Sequence, residues 1–528
     1  NYNIAIGKNA MQAGLVTSNL NVAIGYDSLK SLTSGDSAVA IGAYALDAMT
    51  TANNNTAVGH SAGSGLVDGG ANTLVGKEAG LSLTDQTHNT LIGYNAGIYN
   101  SGESNVAVGS SALKTGSADY NVAIGQLAML KVSGGAGGVA IGYESGYHPT
   151  GNYNTWVGYR AGKGAAAATA TENVGIGRES LENVGDGNYN VAVGSYTGHD
   201  LTTGDTNTLV GYAAGENVTT GGSNNAFGFD ALKTNTTGSN NTAIGNGALR
   251  SNDYSWNTAV GTNAARLYTG HSIVALGYEA GSQNVSGGGN TILGNVAFYN
   301  HAAGASNTVI GSGSMQGDGT NKPSSSSNNT SIGVSAMKFA SGSQSSVAIG
   351  NGALAGASNN TSNYNVAIGY KAASGTTGMD QSVVIGREAA MNVTDGSKLV
   401  AIGEQALKSI TTGDKVIAIG YYAGYGQQTD TDGSIYIGHA AGYSDDGTRR
   451  NIFIGNDCGQ NNTTGENNLA IGYKALEDNI SGIHNVAIGR SAALELKGNQ
   501  NVALGTFALG TAVTQYYNTA IGDGAMRG

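Results

Sequence analysis

Asn190-Val191-Ala192-Val193-Gly194, Asn207-Thr208-Leu209-Val210-Gly211, Asn224-Asn225-Ala226-Phe227-Gly228 and Asn241-Thr242-Ala243-Ile244-Gly245 follow one another at intervals of 17 residues. With the closing glycine as position 0, the phrase recurs 31 times between Gly7 and Gly522. Nineteen of the 30 intervals are 17 residues and six are 16, and the longest, 22, separates Gly311 from Gly333. So narrow a spread makes each repeat one coil, with extra residues confined to turns. Seventeen residues are too few for a helix pair or a propeller blade, but suit two short strands and two tight turns stacked on the next coil. The expected fold is all-β: a parallel β-solenoid of about 31 coils, continuous over 1–528, with its longest turn insertion at 312–332. At about 4.8 Å per coil, such a stack would be roughly 150 Å long.

Each position has its own chemistry. Position −1 is Ile, Val or Leu in every copy but one, where Phe227 stands. Position −3 is mostly Val, Ile or Thr. In a strand these two share a face, which is read here as the coil interior. Position −2 then lies opposite, yet it too is apolar: Ala in most copies, and Leu74, Leu91, Trp156, Leu209, Ile292, Tyr436 or Phe453 in others. A strand apolar on both faces is buried on both, so these seven residues are expected to face further copies of the chain in a parallel homotrimer.

Position −4 is Asn in 23 copies, which suits an amide ladder between stacked coils. Position +3 is small throughout, and +4 is usually either Gly or a larger apolar residue, which indicates two variants of the second strand or turn. The structural repeat residues are thus those of the type Asn21, Ile24 and Gly25; Asn55 and Gly59; Asn121, Ile124 and Gly125; Asn241, Ile244 and Gly245; and Asn485, Ile488 and Gly489.

Composition narrows the function. There are 87 glycines, 2 prolines and 11% charged residues, which fits neither collagen nor disorder. The net charge of −11 without a basic run argues against a nucleic-acid partner. Apolar stretches are too short to insert in a membrane as a helix. The lone Cys458 excludes a disulfide within the chain and reads as a small buried residue. The first and last residues fall in mid-repeat, as in an excerpt of a longer polypeptide.

Candidate chemistry is sparse. His60, His88, His148, His199, His271, His301, His439 and His484 are dispersed and read as solvated turn residues. Asp430, Asp432, Asp445 and Asp446 crowd two successive turns and form a weak calcium candidate, against a solvated rim beside Arg449 and Arg450. Nine tyrosines directly follow the motif glycine, among them Tyr26, Tyr143, Tyr212 and Tyr421. They read as rings packed between coils, with glycan stacking as the alternative. No cofactor motif appears.

The repeated NVAIGxxA phrase, with turns such as Asn235-Thr236-Thr237-Gly238-Ser239, closely resembles the head repeats of trimeric autotransporter adhesins. It resembles even more closely the shafts of phage tail fibres that carry a C-terminal self-cleaving chaperone. The resemblance covers essentially the whole chain. It implies a left-handed parallel β-roll trimerised about a common axis, located extracellularly on a virion or cell surface. Neither the chaperone nor a coiled-coil stalk is recognisable here. The expected function is therefore that of a non-enzymatic structural or adhesive fibre whose partners are itself and a host-surface glycan or protein. A phage tail fibre is placed ahead of a bacterial surface adhesin. A polysaccharide-degrading tailspike and an ice-binding solenoid rank behind. Ice binding wants exposed threonine, whereas Thr at −3 is assigned to the interior.

Overall fold

A computed structural model describes residues 2–527 except 14–16, 133, 149–150, 166–167, 285, 318–325, 357–360, 427–431, 447–449 and 512–513. The Lys322–Ser325 part of the long insertion therefore lies outside the described residues. The chain forms two compact units, Asn1–Asn257 and Thr258–Gly528. Both are built the same way.

Positions −3 to −1 of each coil form a three-residue strand, as in Val22–Ile24, Val191–Val193 and Val400–Ile402. Each strand pairs in parallel with its counterpart one coil on, in register: Val22 with Val39, Ala23 with Ala40 and Ile24 with Ile41 in the first unit, and Val383 with Val400, Val384 with Ala401 and Ile385 with Ile402 in the second. The parallel β-solenoid read from the spacing is thus the fold, without helices among the described residues.

The second strand expected in each coil is mostly missing. Its place is taken by a turn in which positions +2 and +4 adopt the left-handed conformation, as at Asp230 (φ 55°) and Leu232 (φ 55°). A single left-handed non-glycine residue costs on the order of 1–2 kcal/mol. Hydrogen bonds between coils offset this: Asp230 N–H donates to the Tyr212 carbonyl at 3.0 Å and Leu232 N–H to the Ala248 carbonyl at 3.0 Å. Among the described residues, only Tyr99–Asn100 and Thr115–Gly116 pair as strands on this side.

The inside and outside of the strand are the reverse of the expectation. Position −2 points into the coil, and Leu74, Leu91, Trp156, Leu209, Ile292, Tyr436 and Phe453 are all buried within the single chain. They are core residues, not trimer-facing ones. Positions −1 and −3 lie on the outer face, half-buried or exposed. Alternation alone left the choice open because both faces are apolar. What decides it is width. The coil is thin, so the inward position is mostly Ala, and a bulky side chain enters only where position +4 nearby is Gly.

That complementarity explains the two variants at +4. A methyl group added at Gly80 would lie 2.9 Å from Leu74, one at Gly162 2.0 Å from the Trp156 ring, one at Gly215 2.9 Å from Leu209, and one at Gly442 2.3 Å from Tyr436. Where −2 is Ala, as at Ala243, the paired position holds Leu249, and both are fully buried. Burying such a leucine contributes about 1.5–3 kcal/mol.

The asparagine ladder is present. Asn190 N–H donates to Asn173 Oδ1 at 2.8 Å, and Asn190 Nδ2 donates to the same oxygen at 3.1 Å and to the Gly204 carbonyl at 2.9 Å. Asn207 repeats the pattern on Asn190. Each side chain thus satisfies buried backbone groups at the corner of two coils, where an unmet donor would cost about 1–3 kcal/mol.

Candidate interaction surfaces

The strand ladder lays two side-chain columns on its outer face. At −1, Ile41, Ile92, Ile124, Ile141, Ile176 and Ile244 are 37–41% exposed. At −3, Val alternates with Thr, including the consecutive runs Thr56, Thr73, Thr90 and Thr291, Thr308, Thr330. The outcome is a regular apolar strip with few charges, a kind of surface that marks an interaction site more often than a solvated face.

Beside it run the tyrosines at +1, all nine partly exposed. Where neighbours in the column are aromatic, rings stack between coils: Tyr143 on Tyr159 at 5.5 Å, Tyr212 on Phe229 at 5.2 Å and Tyr421 on His439 at 5.5 Å. Elsewhere a cation covers the ring, as Lys77 does Tyr94 at 5.8 Å.

The acidic residues of the calcium candidate do not converge. Asp430 lies outside the described residues. Asp432 is exposed and accepts the Asp414 amide at 2.7 Å. Asp446 is exposed. Asp445 is buried inside the coil, where Oδ2 accepts from the Tyr436 hydroxyl at 2.7 Å and Asn451 Nδ2 at 3.0 Å, and Oδ1 accepts from Asn462 Nδ2 at 3.0 Å. Burial and that carboxylate hold the Tyr436 hydroxyl far above its ordinary pKa.

Asp445 belongs to an interior column at +7 that the repeat analysis overlooked. Leucine or methionine fills it at Leu32, Met49, Leu66 and Leu83, but Asn462, Asn479 and His301 occupy it elsewhere, all buried. Asn479 Nδ2 donates to Asn462 Oδ1 at 2.9 Å, extending a polar ladder from Asp445. The signal was available: an apolar position recurring seven residues after the glycine.

Cys458 is buried, donates to the Ala470 carbonyl at 3.3 Å, and has its pKa pushed up to about 12 by burial. It is a packed thiol. Two histidines depart from the solvated-turn expectation. His199 is held between carboxylates. His301 is fully buried, stacks on Phe298 at 4.4 Å and bonds the Met315 carbonyl through Nε2, while Nδ1 has no partner. Burial pushes its pKa down to about 4.

A depressed histidine pKa favours the neutral form in the fold. The His301 contribution is fully present above its unfolded pKa near 6.5 and is lost as pH falls from there to about 4. Urea melts at pH 7 and pH 4 will show a loss of roughly 3 kcal/mol attributable to this group. His301→Leu, which restores the commoner residue of the column, will flatten that part of the profile. An unchanged profile would remove His301 as its source.

No protein-family model and no curated protein matches this chain.

Proposed function

We propose that the chain is the non-catalytic shaft of an extracellular receptor-binding fibre, of the kind borne by phage tails, built from parallel copies joined through the outer strand face. The observation that carries this reading is the half-exposed Ile/Val strip repeated along both units. Each unit stacks fifteen or sixteen such strands. At about 4.8 Å per strand the strip of one unit is on the order of 70 Å by 10 Å. The resulting ~700 Å² approaches the ~800 Å² per partner of a stable interface. Identical register in every coil favours parallel copies in closed symmetry, and three is the number implied by the resemblance to fibre shafts. A bacterial surface adhesin would use the same strip. Turns and insertions remain free to meet a host glycan or protein.

Lysine at Ile124, Ile141 and Ile176 together tests the strip. These charges would be desolvated in an assembly but solvated on a single chain. The triple variant is expected to dissociate while its β circular dichroism persists. Assembly as strong as in the wild type would refute this face as the interface.

A second reading gains one observation. The outward Thr at −3 removes the reason for setting ice binding aside. Thermal hysteresis from a monomeric protein would replace the fibre reading.

A further inference from the structure

We propose that Glu179, Glu182 and His199 form a binding site for a divalent transition metal, zinc being the best chemical match, that clips two neighbouring coils together. Glu179 and Glu182 stand on the turn after Gly177, and His199 on the turn after Gly194. One ligand atom from each lies within 4.8 Å of the other two. Small side-chain rotations bring such a trio to the ~2.0–2.2 Å that zinc takes from nitrogen and oxygen.

The orientation of His199 points to a cation. Its Nδ1 lies 2.7 Å from Asp200 Oδ1, so Nδ1 carries the proton. In the neutral ring, Nε2 then presents a lone pair, and it sits 3.3 Å from Glu182 Oε2. Two electron-rich atoms at that separation need a positive charge between them. A proton on Nε2 would satisfy Glu182 alone, whereas a metal serves all three groups. An imidazole that ligates through one nitrogen and donates from the other to a carboxylate is the usual arrangement around a bound metal.

The surroundings hold the carboxylates for this role. Arg178 Nε contacts Glu179 Oε1 at 3.3 Å and Arg160 Nη1 contacts Glu182 Oε1 at 3.6 Å. Glu182 thereby keeps Oε2 for the site. Glu179, Glu182 and His199 side chains are 13%, 12% and 25% exposed, so water competes only in part. Their backbones are tied between coils, with Glu179 N–H on the Tyr159 carbonyl at 2.8 Å and Asn183 N–H on the His199 carbonyl at 3.0 Å. With Asp200 there are three carboxylates against two arginines, which leaves one negative charge for a cation. Mixed nitrogen and oxygen donors select zinc, cobalt or nickel over calcium or magnesium, which prefer oxygen alone.

The test uses the full chain without an affinity tag, stripped with chelator and titrated calorimetrically with Zn²⁺, with Co²⁺ as the absorbance probe. One ion per chain is expected, with a Co²⁺ ligand-field band. Glu182→Gln and His199→Ala are each expected to weaken binding at least tenfold and to abolish the band without changing the circular dichroism. The proposal is overturned when no stoichiometric binding appears, when both variants bind like the wild type, or when Ca²⁺ binds as tightly as Zn²⁺. Should His199→Ala fail to fold, Glu182→Gln alone decides. The outcome is independent of how the chain assembles.

Discussion

Gly211→Ala is expected to break the stack at its own coil. Gly211 has φ +131°, and an added Cβ would lie 2.5 Å from the carbonyl oxygen of Gly228 in the next coil. Every described motif glycine except Gly522 stands in the same relation to the coil above it, so the glycine column is where neighbouring backbones approach most closely. The alanine must either leave this backbone region, which costs about 1–3 kcal/mol, or push the coils apart. Parting them breaks the bond from Gly228 N–H to the Val210 carbonyl, 2.8 Å long. The combined loss is on the order of 3–5 kcal/mol. Stability in a stacked array is carried by nearest-neighbour contacts, so hydrogen exchange will accelerate first around Gly211 and Gly228. Tyr212→Ala, beside it on the surface, serves as the control and changes little. Unaltered exchange in Gly211→Ala would show that the coils are spaced otherwise.

The second large effect concerns the exchange of volume across the thin interior. Trp156→Ala empties a fully buried site and is expected to cost about 3–5 kcal/mol. Gly162→Leu drives a side chain into the Trp156 ring, since even its Cβ would lie 2.0 Å from Cδ2, and is expected to cost roughly 3 kcal/mol. Together they recreate the pairing of Ala243 with Leu249. The backbone accepts the change, for Leu249 has φ 48° and Gly162 φ 56°. The double variant should therefore recover most of the loss, with a coupling of about 3 kcal/mol in chemical melts. Strictly additive losses would contradict the packing rule.

These two cases show what could be read from the residues. Spacing settled the solenoid and its register, because a 17-residue period with a fixed glycine admits one stacking. Asn at −4 told of the ladder, since a buried amide recurring at a corner needs partners above and below. The facing of the strand did not follow. Both of its faces are apolar, and the deciding signal was the correlation between bulky −2 residues and Gly at +4, which spans two coils and cannot be seen in one. The second strand was expected because alternating patterns suggest it, but left-handed residues at +2 and +4 cut the extended run short. Leu232 and Leu249 carry no local mark of that conformation. The grouping of Glu179 and Glu182 with His199 depends on the turns of two coils, and dispersed histidines gave no hint of it.

The inverted facing moves the proposed interface from −2 to the Ile/Val strip at −1 and −3. Native mass spectrometry of the folded, unmodified protein tests that account most directly. It predicts a species of three times the 52.7 kDa chain mass that persists on dilution and is lost in the Ile124, Ile141, Ile176 triple lysine variant. A stable 52.7 kDa monomer with the strip open to solvent would contradict it.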